Sequence, residues 1–190
     1  SRQSIQETMN RSLTSINFNL GNLTFFAKIK LTHKKTRAAN VVGTIKSGNR
    51  KYRDEYIVIG AHFDHLGMGG TGSGSRDPEI RATHPGADDN ASGVSGLLEL
   101  AQKLSAQKSR LKRSIVFIGF DAEEKGLLGS KHFIKNSTID INKITTMINM
   151  DMIGRMVDSS LTVGGVGTSP VFKPLLDSLK AERAITLGMS

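Results

Sequence analysis

Apolar residues fall along this chain in two rhythms, and the switch between them marks its elements. Residues 56–61, 114–120 and 144–150 are apolar runs of strand length. Residues 92–106 instead set Val94, Leu97, Leu98, Ala101 and Leu104 on one stripe at helical spacing, with Ser92 near the start. Residues 127–134 predict a shorter helix, and residues 169–179 a third with Pro170 in its first turn. Residues 4–16 carry weaker helical spacing through Ile5, Met9, Leu13 and Ile16. Residues 18–32 alternate, with Leu23, Phe25, Ala27, Ile29 and Leu31 on one face, as a half-buried strand does. A second short strand is expected over 38–46, followed by a turn at 47–50. Two strands ahead of the 56–61 run predict an antiparallel edge. The end at 186–190 shows no clear terminal element. Strands alternating with helices predict an α/β fold, a three-layer sandwich whose mixed, mostly parallel sheet is flanked by helices.

Composition narrows the function classes. The chain has 190 residues, 37% hydrophobic and 23% charged, which suits one ordinary globular domain. With no cysteine, disulfides and thiolate ligands are excluded, so a metal must be held by His, Asp and Glu. No apolar run approaches the roughly 18 residues of a membrane span. Net charge is +9, from 26 Lys and Arg against 17 Asp and Glu. The basic residues are scattered and aromatics are only 5%, so nucleic acid is not the expected partner.

Each of the three apolar runs ends in metal-type ligands. The first leads into His62-Phe63-Asp64, the second into Asp121-Ala122-Glu123-Glu124, the third into Asp151. In an open α/β sheet, ligands bind at the carboxyl ends of strands. His62 and Asp64 share one side of an extended chain, and a carboxylate two residues on is placed to hold the second ring nitrogen of a liganding His. Asp88-Asp89-Asn90 lies among small residues just ahead of a helix, where a carboxylate bridges two cations or caps the helix. Glu123 and Glu124, adjacent at a strand end, point in different directions, so one serves as ligand and the other as base. Asp151, between methionines, needs a cation or a hydrogen-bonding partner if buried. His33, His65, His84 and His132 read as surface or supporting groups. The glycines of 67–74 lack a Gly-Lys-Ser/Thr ending and read as a mobile loop at the rim of a cleft, not a phosphate loop.

The segments at 60–67, 86–93 and 121–130, with Asn149-Met150-Asp151-Met152, resemble the di-zinc aminopeptidases of the bacterial leucyl aminopeptidase, aminopeptidase S and aminopeptidase Y type. Glutamate carboxypeptidase II and glutaminyl cyclase are relatives. The likeness runs from about residue 41 to residue 172. It implies a zinc exopeptidase-like fold and hydrolysis of N-terminal peptide bonds in peptides with a free N-terminus. His62, Asp89 and Glu124 would bind one zinc, Asp89 would bridge to a second, and Asp151 would hold that second ion. Glu123 would be the general base, Asp64 would orient His62, and Asp89-Asn90 would be a cis peptide. The family's second zinc also takes a later His, so here one ion is expected to have three protein ligands and the other two. Residues 1–40 are expected to be a lead-in segment resembling the exit of a protease-associated domain, and 41–190 a peptidase domain lacking its C-terminal part. The resemblance also implies secretion or a periplasmic address.

Rival readings are a carboxypeptidase or one-metal glutaminyl cyclase on the same scaffold, and a non-catalytic module. The His62-x-Asp64 pair and Asp89-Asn90 favour two metals over the former. Retention of both Glu123 and Glu124 speaks against the latter.

Overall fold

A computed structural model describes residues 35–183 and 185–190 throughout, and residues 7, 8, 11, 21, 22, 24 and 26–32 ahead of them. The chain divides into two compact units, Ser1–Thr36 and Arg37–Ser190. Most of the expected helix over 4–16 lies outside the described residues. Of the expected strand over 18–32, residues 26–32 are described and form no strand, and Phe26, Ile29 and Leu31 are exposed. Among the described residues no strand pairs with them to bury that alternation.

In the second unit, β1 (Val41–Ile45), β2 (Tyr56–His62), β3 (Ser114–Phe120) and β4 (Ile144–Asn149) form one sheet in the order β1-β3-β2-β4. β2 pairs parallel with both β3 and β4, and β1 closes the edge antiparallel to β3, as the sequence predicts. The chain therefore leaves β2 toward one side and later returns to its other side. Right-handed crossovers in opposite directions put their helices on opposite faces of a sheet. Between β2 and β3 lies α1 (Gly93–Ala106); between β3 and β4 lies α2 (Leu128–Lys135).

The period-two alternation of β2 and β3 builds a core on each face. Val58, Val116, Ile118 and Phe120 pack with Phe133 of α2. Ile59, Ala61, Ile115 and Phe117 pack with Leu97 of α1, flanked by Val94, Leu100, Ala101 and Leu104. The stripe on α1 thus runs through Leu100, whereas Leu98, expected on it, is exposed. The result is helix, sheet, helix, with the sheet's point of reversal at the carboxyl end of β2. Ligands bind at such points in open α/β sheets.

A second, parallel pair joins β5 (Ser160–Val163) to β6 (Thr186–Met189), with α3 (Phe172–Ala181) between them in sequence. β6 occupies the stretch expected to carry no element, because its pattern is stabilised only by pairing with β5. α3 begins later than expected, so Pro174 rather than Pro170 sits in its first turn, where the missing N–H costs no helical bond. Among the described residues no helix is long and apolar enough to cross a membrane.

Candidate metal centre

His62 is the last residue of β2 and is buried at 2% exposure. Its Nδ1 lies 3.1 Å from the backbone carbonyl of Asp64 and 3.7 Å from that residue's Oδ1. The carbonyl, rather than the expected carboxylate, therefore holds the ring. The Asp64 carboxylate has another task, accepting from the backbone N–H groups of Glu123 at 2.9 Å and Glu124 at 3.2 Å. One strand end thereby fixes the turn that follows its neighbour.

With Nδ1–H donating to the Asp64 carbonyl, His62 Nε2 presents a lone pair to Asp89 Oδ1 at 3.2 Å and Asp151 Oδ1 at 3.6 Å. Three electron-rich atoms so placed repel one another unless a proton or cation lies among them. The separations bracket the roughly 3.3 Å edge expected of a tetrahedral site with bonds of about 2.0–2.1 Å. His62, Asp89 and Asp151 form one group able to hold a metal ion, and His65, Asp89 and Glu124 form another. In the second, His65 Nδ1 lies 2.7 Å from Glu124 Oε1 and 4.0 Å from Asp89 Oδ2.

Asp89 thus turns one oxygen to each triad. The grouping of donor atoms differs from the expected partition: His62 is grouped with Asp151, while Glu124 falls on the other side of Asp89. The sheet order explains this. β2 lies between β3 and β4, and which neighbour's carboxylate shares a cation with His62 is set by loop geometry beyond the strand ends. His65, expected as a surface or supporting group, lies three residues from His62 and against Glu124.

Asp89 is delivered by a distorted helical turn, Ala87–Ser92, that runs into α1. The Asp89-Asn90 peptide bond is cis, as the resemblance implies. Buried Asn90 donates to the carbonyl of Met150 and accepts from the N–H groups of Gly93 and Met152. Gly93 is required by that approach, since a methyl there would meet Asn90 Oδ1 and the Met150 carbonyl at 2.5 Å. Asp88 accepts from the Gly154 N–H and pairs with Arg155 at 2.7 Å. The Arg155 hydrogen bond holds the Asp88 carboxyl below its ordinary range. The segment carrying Asp151 is therefore fastened to the turn carrying Asp89.

Among the described residues no Lys or Arg pairs with Asp64, Asp89, Glu123, Glu124 or Asp151. Such convergence of acids in a chain of net charge +9 fits a cation site, and the all-N/O donor set suits zinc. Glu123 belongs to neither triad, and no side chain among the described residues hydrogen-bonds its carboxylate. Desolvation by burial, opposed by nearby His62 and reinforced by the charges of Glu124, Asp151 and Asp64, raises its pKa. The glycine-rich rim makes hydrogen bonds to its surroundings: the His84 N–H donates to the Gly67 carbonyl, and Lys125 Nζ donates to the carbonyls of Gly72 and Ser73.

Known proteins share this arrangement of elements. The sequence profile of Peptidase family M28 matches residues 40–188. Aminopeptidase YwaD of Bacillus subtilis is 34% identical over 128 residues, which is 67% of this chain and 24% of that protein. An aminopeptidase of Pseudomonas aeruginosa is 32% identical over 66% of this chain and 20% of its own length. The chain thus spans about a quarter or less of these relatives. A probable zinc metalloprotease of Pyrenophora teres is 36% identical over 117 residues, covering 60% of this chain and 22% of that protein. Among solved structures, Legionella LapA superposes with a TM-score of 0.54 at 25% identity, over 80% of this chain and 43% of LapA. Glutaminyl cyclase of Porphyromonas gingivalis shares the fold at a TM-score of 0.59 and 22% identity, over 78% of this chain and 55% of the cyclase. With nearly the whole second unit matched by the family profile, the chain belongs to peptidase family M28.

Proposed function

We propose that this chain carries the centre of a metal-dependent aminopeptidase, which hydrolyses the first peptide bond of substrates with a free N-terminus using a zinc pair and a glutamate base. Asp89 carries this reading, because its two oxygens divide between two donor triads at the carboxyl end of β2. His62, Asp89 and Asp151 would hold one ion; Asp89 and Glu124 would contribute to the other. Zinc bound there supplies Lewis-acid polarisation of the scissile carbonyl and lowers the pKa of water.

Glu123 takes a proton from the attacking water and returns it to the leaving amine nitrogen. A positioned carboxylate of this kind can both accept the proton and return it. Asp64 positions that base by holding the backbone of the glutamate turn. The substrate's ammonium group is set near Asp151, whose side chain is 46% exposed. Family membership and the names of the relatives support peptide hydrolysis.

The test is Glu123→Gln, assayed by release of amine from aminoacyl-anilides with and without chelator. Turnover should fall by roughly 10²–10⁴-fold while bound metal is unchanged. A variant that keeps the normal rate removes Glu123 from the base role. Chelator-insensitive peptide binding without hydrolysis in the unmodified chain would point to the non-catalytic module.

A further inference from the structure

Lysines and arginines are scattered along the sequence, but the fold gathers many of them at one end. β2 and β3 run parallel with Tyr56 opposite Ser114, Ile144 of β4 lies beside Tyr56, and Ile45, the last residue of β1, pairs with Ile115. The segments that adjoin these residues therefore share the amino end of the parallel strands. The turn after β1 carries Lys46, Arg50, Lys51 and Arg53, all exposed. The connection into β3 adds Lys108, Arg110 and Lys112, and the turn into β4 adds Lys143, again all exposed. The acids on these stretches are Asp54, Glu55 and Asp140. Glu55 is taken by Arg113 at 2.7 Å, Asp54 lies 3.9 Å from Arg53, and Asp140 accepts from the Asn142 N–H. A positive excess remains on the surface, and like charges gathered on one face sum into a field that favours an anionic partner.

The face is preformed. Buried Ser47 donates its hydroxyl to the Leu111 carbonyl and its N–H to Ser114 Oγ, which ties the first turn to the connection into β3. Asn49 Oδ1 accepts from the N–H groups of Lys51 and Tyr52. Cations held on such a platform lose little freedom when they bind.

Shape and chemistry narrow the partner. The cavity beside α2 and the one beside α3 are walled by other residues, so neither offers these cations a pocket for a discrete anion. Five of the eight exposed cations are lysines, hydrated point charges without the fork that grips a single phosphate. Tyr52 already has Lys51 Nζ and Arg113 Cζ 4.9 and 5.1 Å from its ring centroid, which leaves no free face for base stacking. A broad anionic surface meets all these loops at once.

We propose that this amino-end face docks on an anionic phospholipid surface, with the metal centre turned toward solvent. β3 spans seven residues, so at about 3.3 Å per residue the centre stands about 20 Å from the lipid. The acids gathered at that far end are repelled by the same surface, which enforces the orientation.

The experiment measures co-sedimentation of the 190-residue chain with vesicles of phosphatidylcholine mixed with phosphatidylglycerol, and with phosphatidylcholine alone. Binding should need the anionic lipid and weaken as salt rises. Arg50, Lys108 and Lys112 make no side-chain hydrogen bond or ion pair among the described residues, so their combined change to Gln should leave the denaturation midpoint in place. Each Lys or Arg near an anionic surface strengthens binding about fivefold, and the triple variant should bind roughly 100-fold more weakly. The control changes Lys173, Lys180 and Arg183, on and just after α3, to Gln for the same loss of charge; it should weaken binding less than about fivefold. Equal losses in the two variants would assign the effect to net charge and overturn the proposal. So would equal binding to both kinds of vesicle, or a duplex DNA bound more tightly than the anionic vesicles at the same salt.

Discussion

β3 and β4 flank the same strand and both end in carboxylates near His62, yet they are held there by different means. β3 lies inside the sheet with Val116 and Ile118 at 0% exposure. Its end is fixed by the Phe63 N–H on the Phe120 carbonyl and by Asp64 on the glutamate turn. β4 is the edge strand, with Met147 and Ile148 47% and 52% exposed. Asp151 owes its place to side chains of another segment: Asn90 on Met150 and Met152, Ser92 on Ile153, Asp88 on Gly154 and Arg155. The β3 end is held by a buried strand with hydrogen bonds from β2 and Asp64, whereas the β4 end adds to its backbone bond with Gly60 a set of side-chain hydrogen bonds from the 88–92 turn. Because the fastening residues neighbour Asp89, the shared carboxylate and Asp151 are positioned as one unit.

The sharpest break in this comparison should come from Ile118→Ala. A fully buried aliphatic truncated to alanine costs about 2–5 kcal/mol, read as a lower denaturation midpoint, and all metal binding should fall with the fold. Met147→Ala on the exposed edge strand should cost far less. Equal losses would mean that β4 is packed as tightly as β3. Next is Asn90→Ala, which strips buried partners from the Met150 carbonyl and two N–H groups. Each group left unsatisfied costs about 1–3 kcal/mol, and the affinity of the His62 triad for Zn²⁺ should fall more than the midpoint does. A variant that loses stability but keeps full affinity would show that Asp151 is held by something else. Gly93→Ala tests the same fastening from the helix side. Overpacking there costs about 1–3 kcal/mol and should separate Asp89 from Asp151.

The same contrast explains what the sequence alone could show. Strands β2, β3 and β4 were readable because each is a local apolar run, and His62, Glu123, Glu124 and Asp151 followed because strand ends are where α/β sheets place ligands. The grouping of His62 with Asp151 was not readable, since it depends on strand order and loop paths. The contact of His65 with Glu124 was not readable for a similar reason: His65 lies beyond the strand, where period-two reasoning stops, and only folding brings Glu124 to it. The short adjacency His62-x-Asp64-His65 was the available signal. Pro170 and Pro174 both mark a helix start, and local pattern could not choose between them. Alternation in 26–32 tells which face a strand would bury, not that a partner strand exists.

The smallest effect should come from the outermost fastening, Arg155 on Asp88. Arg155 is exposed at 74%, so solvent screens the pair and its removal should barely move the denaturation midpoint. The informative readout is titration. Asp88 has its pKa lowered, first by the Arg155 hydrogen bond, so the pair contributes above the ordinary carboxyl range and is lost as pH falls through the lowered value. In the metal-free chain, NMR titration of the Asp88 carboxyl should show a midpoint below that of a free aspartate. Arg155→Ala should move the midpoint upward, while the Gly154 N–H and Ser92 hydroxyl bonds retain part of the lowering. If the midpoint does not move, the guanidinium is not what holds Asp88, and the fastening of the Asp151 segment ends at Gly154.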